Sequence, residues 1–126
     1  MNSQFTKIVR LLLGFILIVF GLNKLMPEAF IPLPILPERA GDFMASLGAT
    51  GYVLKTVGFI EIGIGILLLL KKWVAFALIV LVPISLNIVL FHLFLDVAGI
   101  GGALLVAILN GILIYKYWTQ YKPLFV

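Results

Sequence analysis

Four long apolar segments dominate this sequence and constrain what it can fold into. Each is close to the roughly 20 residues that a helix needs to cross the hydrocarbon core of a membrane. The 126-residue chain is 63% hydrophobic and only 11% charged, whereas a soluble domain has roughly 25% charged residues. A soluble chain of this length could not bury so much apolar surface. We therefore predict an all-α membrane protein, a single domain of residues 1–126, with a bundle of four transmembrane helices at about 6–26, 52–70, 73–95 and 100–117.

The first apolar segment also has some features of a secretory signal peptide. A polar stretch, Met1–Arg10, precedes the apolar run Leu11–Leu22. No small-residue cleavage site follows, since the chain continues with Gly21-Leu22-Asn23-Lys24. We therefore interpret the segment as an uncleaved first transmembrane helix.

Basic residues set the expected topology of the four spans. Six of them fall at one end of a four-helix bundle: Lys7, Arg10, Lys71, Lys72, Lys116 and Lys122. The opposite end has Lys24, Arg39 and Lys55. Because cytoplasmic loops are enriched in Lys and Arg, we expect both termini in the cytoplasm (N-in/C-in). No basic stripe with interleaved aromatic residues is present, so the bilayer is the expected partner and nucleic acid is not.

An aromatic cluster closes the fourth span. It consists of Tyr115, Tyr117, Trp118 and Tyr121. Tyrosine and tryptophan favour the level of the lipid headgroups, so we expect all four at the membrane interface.

The longest connection, residues 27–51, is rich in proline and is expected to lie on the outer side. Its IPLPILP run favours extended backbone, because proline fixes φ and disfavours helix in the residue before it. The run is too apolar for a free linker, so we expect it to pack over the mouth of the bundle. Pro37–Leu47 is predicted to form a short interfacial helix with Phe43, Met44 and Leu47 on one side.

Small residues recur at helical spacing in three of the spans. Gly14 and Gly21 are seven apart in the first span, and Gly51, Gly58 and Gly65 recur every seven residues in the second. In the last span, Gly99, Ala103, Ala107 and Gly111 recur every four residues. Such residues let helices approach closely in lipid, and we interpret all three stripes as packing surfaces.

Glu61 is the sharpest candidate for a functional residue. It lies near the middle of the second span, where an ionised carboxylate costs about 2.5–3.5 kcal/mol on insertion scales. It must therefore be neutral, paired with a charge, or beside water. One interpretation is an acid that binds a ligand or handles protons, and the other is a structural pin between helices. Lys24 could snorkel to the membrane surface or turn inward to pair with Glu61, and Asn110 in the fourth span could join the network.

The third span carries three further candidates. Asn87 is expected at about the depth of Glu61, and we predict that it faces Glu61. The equal alternative is that Asn87 only holds two helices together by a hydrogen bond between them. His92 and Asp96 are four residues apart and share a helix face. They could act as an acid–base pair at the outer interface, or Asp96 could cap a helix end. A metal site needs more ligands than this pair supplies.

These residues together resemble the DoxX family of small four-helix bacterial membrane proteins. The resemblance rests on Arg10–Gly14, Gly21–Leu25, the proline-rich loop, Val57–Glu61, Gly65–Leu70 and Asn87–Asp96. It implies a multi-pass protein of the bacterial inner membrane, with Glu61 and Lys24 at family positions. The family takes its name from a subunit of a quinone-reducing enzyme, and relatives are linked to redox pathways or membrane-protein assembly. Relatives with thiol chemistry use cysteines, and this chain has none.

Two functions remain as hypotheses at this point. The first is a membrane subunit of a quinone-linked oxidoreductase, with a quinone bound among Lys24, Glu61, Asn87, His92 and Asp96 and with a redox protein as its partner. The second is a non-enzymatic carrier or assembly partner for lipids or membrane proteins, acting alone or as a homo-oligomer. A proton-coupled transporter is a weaker third hypothesis, because the short chain shows no inverted repeat.

Overall fold

The computed structural model describes residues 3–26 and 36–126. It contains five α-helices, namely α1 (Gln4–Leu25), α2 (Glu38–Ala49), α3 (Val53–Leu70), α4 (Val74–Leu95) and α5 (Ile100–Lys116). Short 3₁₀ turns lie at Val97–Gly99, Trp118–Gln120 and Lys122–Phe125. Four of these helical segments are long and apolar enough to cross a membrane, which confirms the predicted all-α bundle of four spans.

The surface of the four long helices is apolar, as a lipid-facing surface should be. Large side chains such as Phe15, Phe59, Phe76 and Phe94 are more than half exposed. Because four spans return the chain to its starting side, both termini lie at one end of the bundle, here called the terminal side. The end that carries α2 is called the loop side.

Helix α2 confirms the short helix that was predicted within the long connection, although it continues two residues further. Its fully buried residue is Ala40, and the Phe43 ring contacts that of Phe91 on α4 with centroids 5.7 Å apart. The predicted packing of the proline-rich run over the bundle mouth falls on residues 27–35, outside the described residues.

Two pairs of glycines place α1 directly against α3. A Cβ atom on Gly21 would lie 2.7 Å from the carbonyl oxygen of Gly58, and one on Gly65 would lie 2.6 Å from that of Gly14. No larger residue fits at these separations, so the two backbones are in contact. The predicted packing stripes of the first two spans are thus confirmed at these four glycines, but not at Gly51, where a Cβ atom would have no neighbour within 4 Å. In α5, Ala103 is buried, but a Cβ atom on Gly111 would have no neighbour within 4 Å.

The hydrophobic core fills the terminal half of the bundle. Six leucines, each at most 1% exposed, form its centre: Leu13, Leu17, Leu68, Leu78, Leu81 and Leu113. On α4, by contrast, none of residues 86–95 is buried, and the next buried position is Asp96. The buried positions of the loop half are therefore mostly small or polar.

The aromatic cluster at the end of α5 is divided between the protein surface and the core. Tyr115 and Trp118 are exposed as expected, but Tyr117 and Tyr121 are buried. The 3₁₀ turns bring Tyr121 beneath the start of α4, where its hydroxyl donates a 2.8 Å hydrogen bond to the carbonyl of Ala75. These two tyrosines close the terminal end of the core, and their level relative to the lipid headgroups stays a prediction.

Candidate functional site

An ion pair between Lys24 and Glu61 is the central feature of the loop half. The Nζ atom of Lys24 lies 2.7 Å from Oε1 of Glu61. The Glu61 side chain is 3% exposed, whereas that of Lys24 is 25% exposed. Of the two orientations predicted for Lys24, the structure shows the one that turns inward. An intramembrane carboxylate is thereby given the opposite charge that its position requires.

The glycine contact between α1 and α3 explains how this pair can form. The two residues are offset along the membrane normal, since Lys24 ends α1 while Glu61 lies about 12 Å below the start of α3 at 1.5 Å per residue. A Cβ atom on Gly58 would lie 3.2 Å from Cβ of Lys24. The lysine stem therefore runs along the surface of α3 where that helix has no side chain, and its ammonium reaches Glu61 one turn further in.

Lys24 also lines a cavity at the loop-side ends of α1, α2 and α3. Its volume is about 440 Å³. Among the described residues, its wall consists of Lys24, Leu25, Met26, Leu47, Gly48, Gly51, Tyr52, Leu54 and Lys55. Gly51 has a φ of +81°, a conformation that suits glycine and turns the chain sharply from α2 into α3. The cavity thus combines an apolar wall with two ammonium groups and a phenol.

The structure does not bring Asn87 to Glu61. Asn87 is exposed, and its Nδ2 atom donates a 2.9 Å hydrogen bond to the carbonyl of Pro83 in the same helix. The prediction that Asn87 faces Glu61 was wrong, because equal depth along two helices does not fix the direction of a side chain. Leu81 and Ser85 mark the inward face of α4, and Asn87 is rotated about 160° away from Ser85 at 100° per residue.

His92 and Asp96 form a separate polar pair at the loop-side end of α4. Nδ1 of His92 lies 3.5 Å from Oδ2 of Asp96 and 3.1 Å from the Asp96 backbone oxygen. Since a carbonyl oxygen only accepts hydrogen bonds, the latter contact requires a proton on Nδ1. A Cβ atom on Gly99 would lie 2.6 Å from Oδ2 of Asp96, so glycine leaves the space that the carboxylate occupies.

The capping role predicted as an alternative for Asp96 is observed at the end of α4, where Asp96 is the C-cap residue and its backbone N–H donates to the carbonyl of His92. It is not observed at the start of the next helix. Asp96 makes no side-chain hydrogen bond to the turn that it precedes, and α5 begins after Gly99 without a side-chain cap. Its side chain is buried against His92 instead. The five residues predicted to share one pocket are therefore divided among three places: Lys24 with Glu61, His92 with Asp96, and Asn87 on the outer surface.

Four buried polar residues lie outside the predicted set of five, namely Thr6, Arg10, Ser85 and Asn110. Arg10 donates a hydrogen bond from Nη1 to the carbonyl of Leu68 near the end of α3. Ser85 and Asn110 are buried in α4 and α5, and neither Oγ of Ser85 nor Oδ1 of Asn110 has a hydrogen-bond partner in the described part of the chain. Asn110 had been considered from the sequence as a possible member of the network. Ser85 had not, because α4 is apolar on all sides and its spacing does not show which face is inward.

Comparisons of this chain with protein-family models, with curated proteins and with solved structures found no match.

Proposed function

We propose that this protein is a DoxX-like membrane subunit that binds the head group of a quinone for a quinone-linked oxidoreductase. The observation that carries the proposal is the double role of Lys24, which lines the loop-side cavity and pairs at 2.7 Å with the buried Glu61. A ligand in the cavity would meet an ammonium group that is already oriented by a carboxylate.

The chemistry of the cavity suits a quinone head group. Small-molecule pockets usually enclose roughly 300–1,000 Å³ and combine apolar walls with a few polar groups that fix orientation. This cavity, of about 440 Å³, has apolar walls from Leu25, Leu47 and Leu54. A quinone carbonyl accepts hydrogen bonds, and the donors present are the ammonium groups of Lys24 and Lys55 and the hydroxyl of Tyr52.

The residues of this chain would bind and orient the ligand. A bound quinone would be reduced to the quinol by two electrons from a partner redox protein and two protons taken up from the loop side. The Lys24 ammonium would donate a hydrogen bond to the quinone carbonyl, and Glu61 would hold that ammonium in place. His92 and Asp96 form a second acid–base pair on the same side of the membrane, at the end of α4.

Native mass spectrometry of the protein in nanodiscs, with a short-tailed ubiquinone added, tests this proposal. We expect one bound quinone on the wild type and a loss of at least about tenfold in affinity for Glu61→Gln, equivalent to about 1.4 kcal/mol. Glu38→Gln is the matched control, because Glu38 is exposed on α2. Equal binding to wild type and Glu61→Gln, or no binding to either, would contradict the proposal.

A lipid carrier is the second candidate, and Lys55 is the observation that favours it. This exposed lysine lines the same cavity as Lys24, and within residues 3–26 and 36–126 no carboxylate forms an ion pair with it. A cation of this kind attracts the phosphate of an anionic lipid. In the same measurement with added phosphatidylglycerol, lipid binding that is lost in Lys55→Gln but retained in Glu61→Gln would favour the carrier.

A further inference from the structure

Glu61, Ser85 and Asn110 lie at nearly the same depth on three different helices. Glu61 is eight residues from the loop-side end of α3, which is about 12 Å at 1.5 Å per residue. Ser85 is ten residues from the end of α4 and Asn110 is ten residues from the start of α5, or about 15 Å in each case. Relative exposures of 2%, 5% and 3% place all three residues inside the protein.

Each of these residues continues the core-facing side of its helix. Glu61 precedes the buried Ile64 by three residues, Ser85 follows the buried Leu81 by four, and Asn110 precedes the buried Leu113 by three. Residues three or four apart share a helix face. The three polar side chains therefore form a layer at the loop-side boundary of the hydrophobic core.

Two oxygen atoms in this layer lack a hydrogen-bond partner in the described part of the chain. They are Oγ of Ser85 and Oδ1 of Asn110, and both are buried. A buried polar atom without a partner costs about 1–3 kcal/mol, and in hydrocarbon no lipid group can supply one. A molecule that both donates and accepts hydrogen bonds satisfies these atoms, and water is the smallest such molecule.

The two sides of this polar layer differ in how tightly they are closed. Toward the terminal side lie the six leucines of the core centre, each at most 1% exposed. Toward the loop side, the Lys24 side chain, which is 25% exposed, connects Glu61 to the cavity at the loop-side surface. Water therefore has a polar route to the layer from the loop side and a packed apolar barrier beyond it.

We propose that Glu61, Ser85 and Asn110 line a hydrated site inside the bundle that opens to the loop side alone. Water in this site bridges the serine and asparagine oxygens, and Glu61 exchanges protons with the loop side. The six leucines of the core centre, here called the leucine layer, prevent exchange with the terminal side. This inference does not depend on quinone binding, so a failure of the quinone experiment leaves it unchanged.

The absence of cysteine from the sequence allows a direct test with single-cysteine variants. A thiol reacts as the thiolate, and a thiol in a dry apolar environment is inert. Ser85→Cys places a thiol in the proposed site, and Leu81→Cys places one a single turn further in, within the leucine layer. Ala45→Cys on α2 and Thr119→Cys after α5, both at exposed positions, report which side of the vesicle is being labelled.

The variants are treated in sealed vesicles with the membrane-impermeant reagent sulfonatoethyl methanethiosulfonate, applied to one side at a time. We expect Ser85→Cys to react at least about tenfold faster from the side that labels Ala45→Cys, because only that side delivers water to the thiol. Leu81→Cys should react from neither side. Adding Asn110→Leu to Ser85→Cys should slow the reaction by a similar factor.

Two results would overturn the inference. If Ser85→Cys is unreactive from both sides while Ala45→Cys and Thr119→Cys are labelled, the layer is dry. If Ser85→Cys reacts equally from both sides, or faster from the side that labels Thr119→Cys, the leucine layer is not the barrier.

Discussion

Gly21 of α1 and Gly58 of α3 meet so closely that a Cβ atom on Gly21 would lie 2.7 Å from the Gly58 carbonyl oxygen. Because Gly58 has no side chain, the stem of Lys24 can also lie along α3 at this contact and reach Glu61. The packing of these two helices and the geometry of the ion pair thus depend on one another.

The first prediction concerns this contact. Gly21→Ala should destabilise the protein by about 1–3 kcal/mol, because overpacking a close contact forces the backbones apart. Gly63→Ala is the matched control, since Gly63 lies in α3 with nothing within 4 Å of a Cβ position. Thermal unfolding in detergent, followed by tryptophan fluorescence, measures both. Equal melting temperatures for the two variants would mean that the glycine contact is not tight.

The second prediction compares the two partners of the ion pair. Lys24→Met leaves a carboxylate that is 3% exposed without its counter-charge, and breaking a buried pair in this way costs about 3–5 kcal/mol. Glu61→Gln should cost less, because the Lys24 side chain is 25% exposed and its stem can snorkel to the surface.

Unfolding of both variants in the same detergent, with Lys24→Met/Glu61→Gln as a third, measures the asymmetry. The double variant should be more stable than Lys24→Met, since it no longer buries an unpaired acid. A Glu61→Gln variant less stable than Lys24→Met would contradict the assignment of Glu61 as the buried partner.

The fold was predictable from sequence because apolar length determines it. The four spans and the helix in the long connection follow from composition and from proline and glycine positions, and their ends differ from the prediction by a few residues. For Lys24, the sequence left open whether its side chain snorkels to the membrane surface or pairs with Glu61. The contact between Gly21 and Gly58 favours the pair, because it lets the lysine stem lie along α3.

The direction of polar side chains on α4 was harder to predict. This helix is apolar on all sides, so its hydrophobic pattern does not reveal which face is inward. Asn87 was therefore assigned to the core although it faces outward, and Ser85 was left out of the predicted pocket although it is buried. The burial of Tyr117 and Tyr121 was not predicted, because residue type does not show that the chain folds back after α5.

The third prediction is the pH dependence of stability at the terminal end. Burial, with a smaller contribution from Tyr117, raises the pKa of Tyr121 to about 12, compared with about 10 for an unperturbed tyrosine. Because the folded state holds this proton more tightly, the stabilisation is complete below pH about 10 and is lost as the pH rises through about 12.

Tyr121→Phe tests this dependence. The variant should lose less stability at alkaline pH than the wild type, by the part that ionisation of Tyr121 causes. At neutral pH it should be less stable by about 1 kcal/mol, because the hydrogen bond to the Ala75 carbonyl is lost. Difference absorbance of tyrosinate between wild type and Tyr121→Phe isolates this one residue. A difference signal that appears fully by pH about 10 would contradict the burial of its hydroxyl.

The fourth prediction concerns the space that Gly99 leaves for Asp96. Gly99→Ala places a methyl carbon 2.6 Å from Oδ2 of Asp96. This is too close for van der Waals contact, so the carboxylate must move away from His92. The sequence contains one histidine, and its imidazole ¹⁵N resonances therefore report on this contact without overlap. Gly99→Ala should shift them, whereas Gly101→Ala, with nothing within 4 Å, should not.

The order of the helices has a consequence for how the chain is made. Helix α1 packs mainly on α3, and α4 packs mainly on α5, so the protein is two helical hairpins in series. They are joined at a short turn where Lys71 and Trp73 both have positive φ. Each hairpin can form its main helix–helix interface as it leaves the ribosome. The two hairpins then associate through the leucines of the core centre.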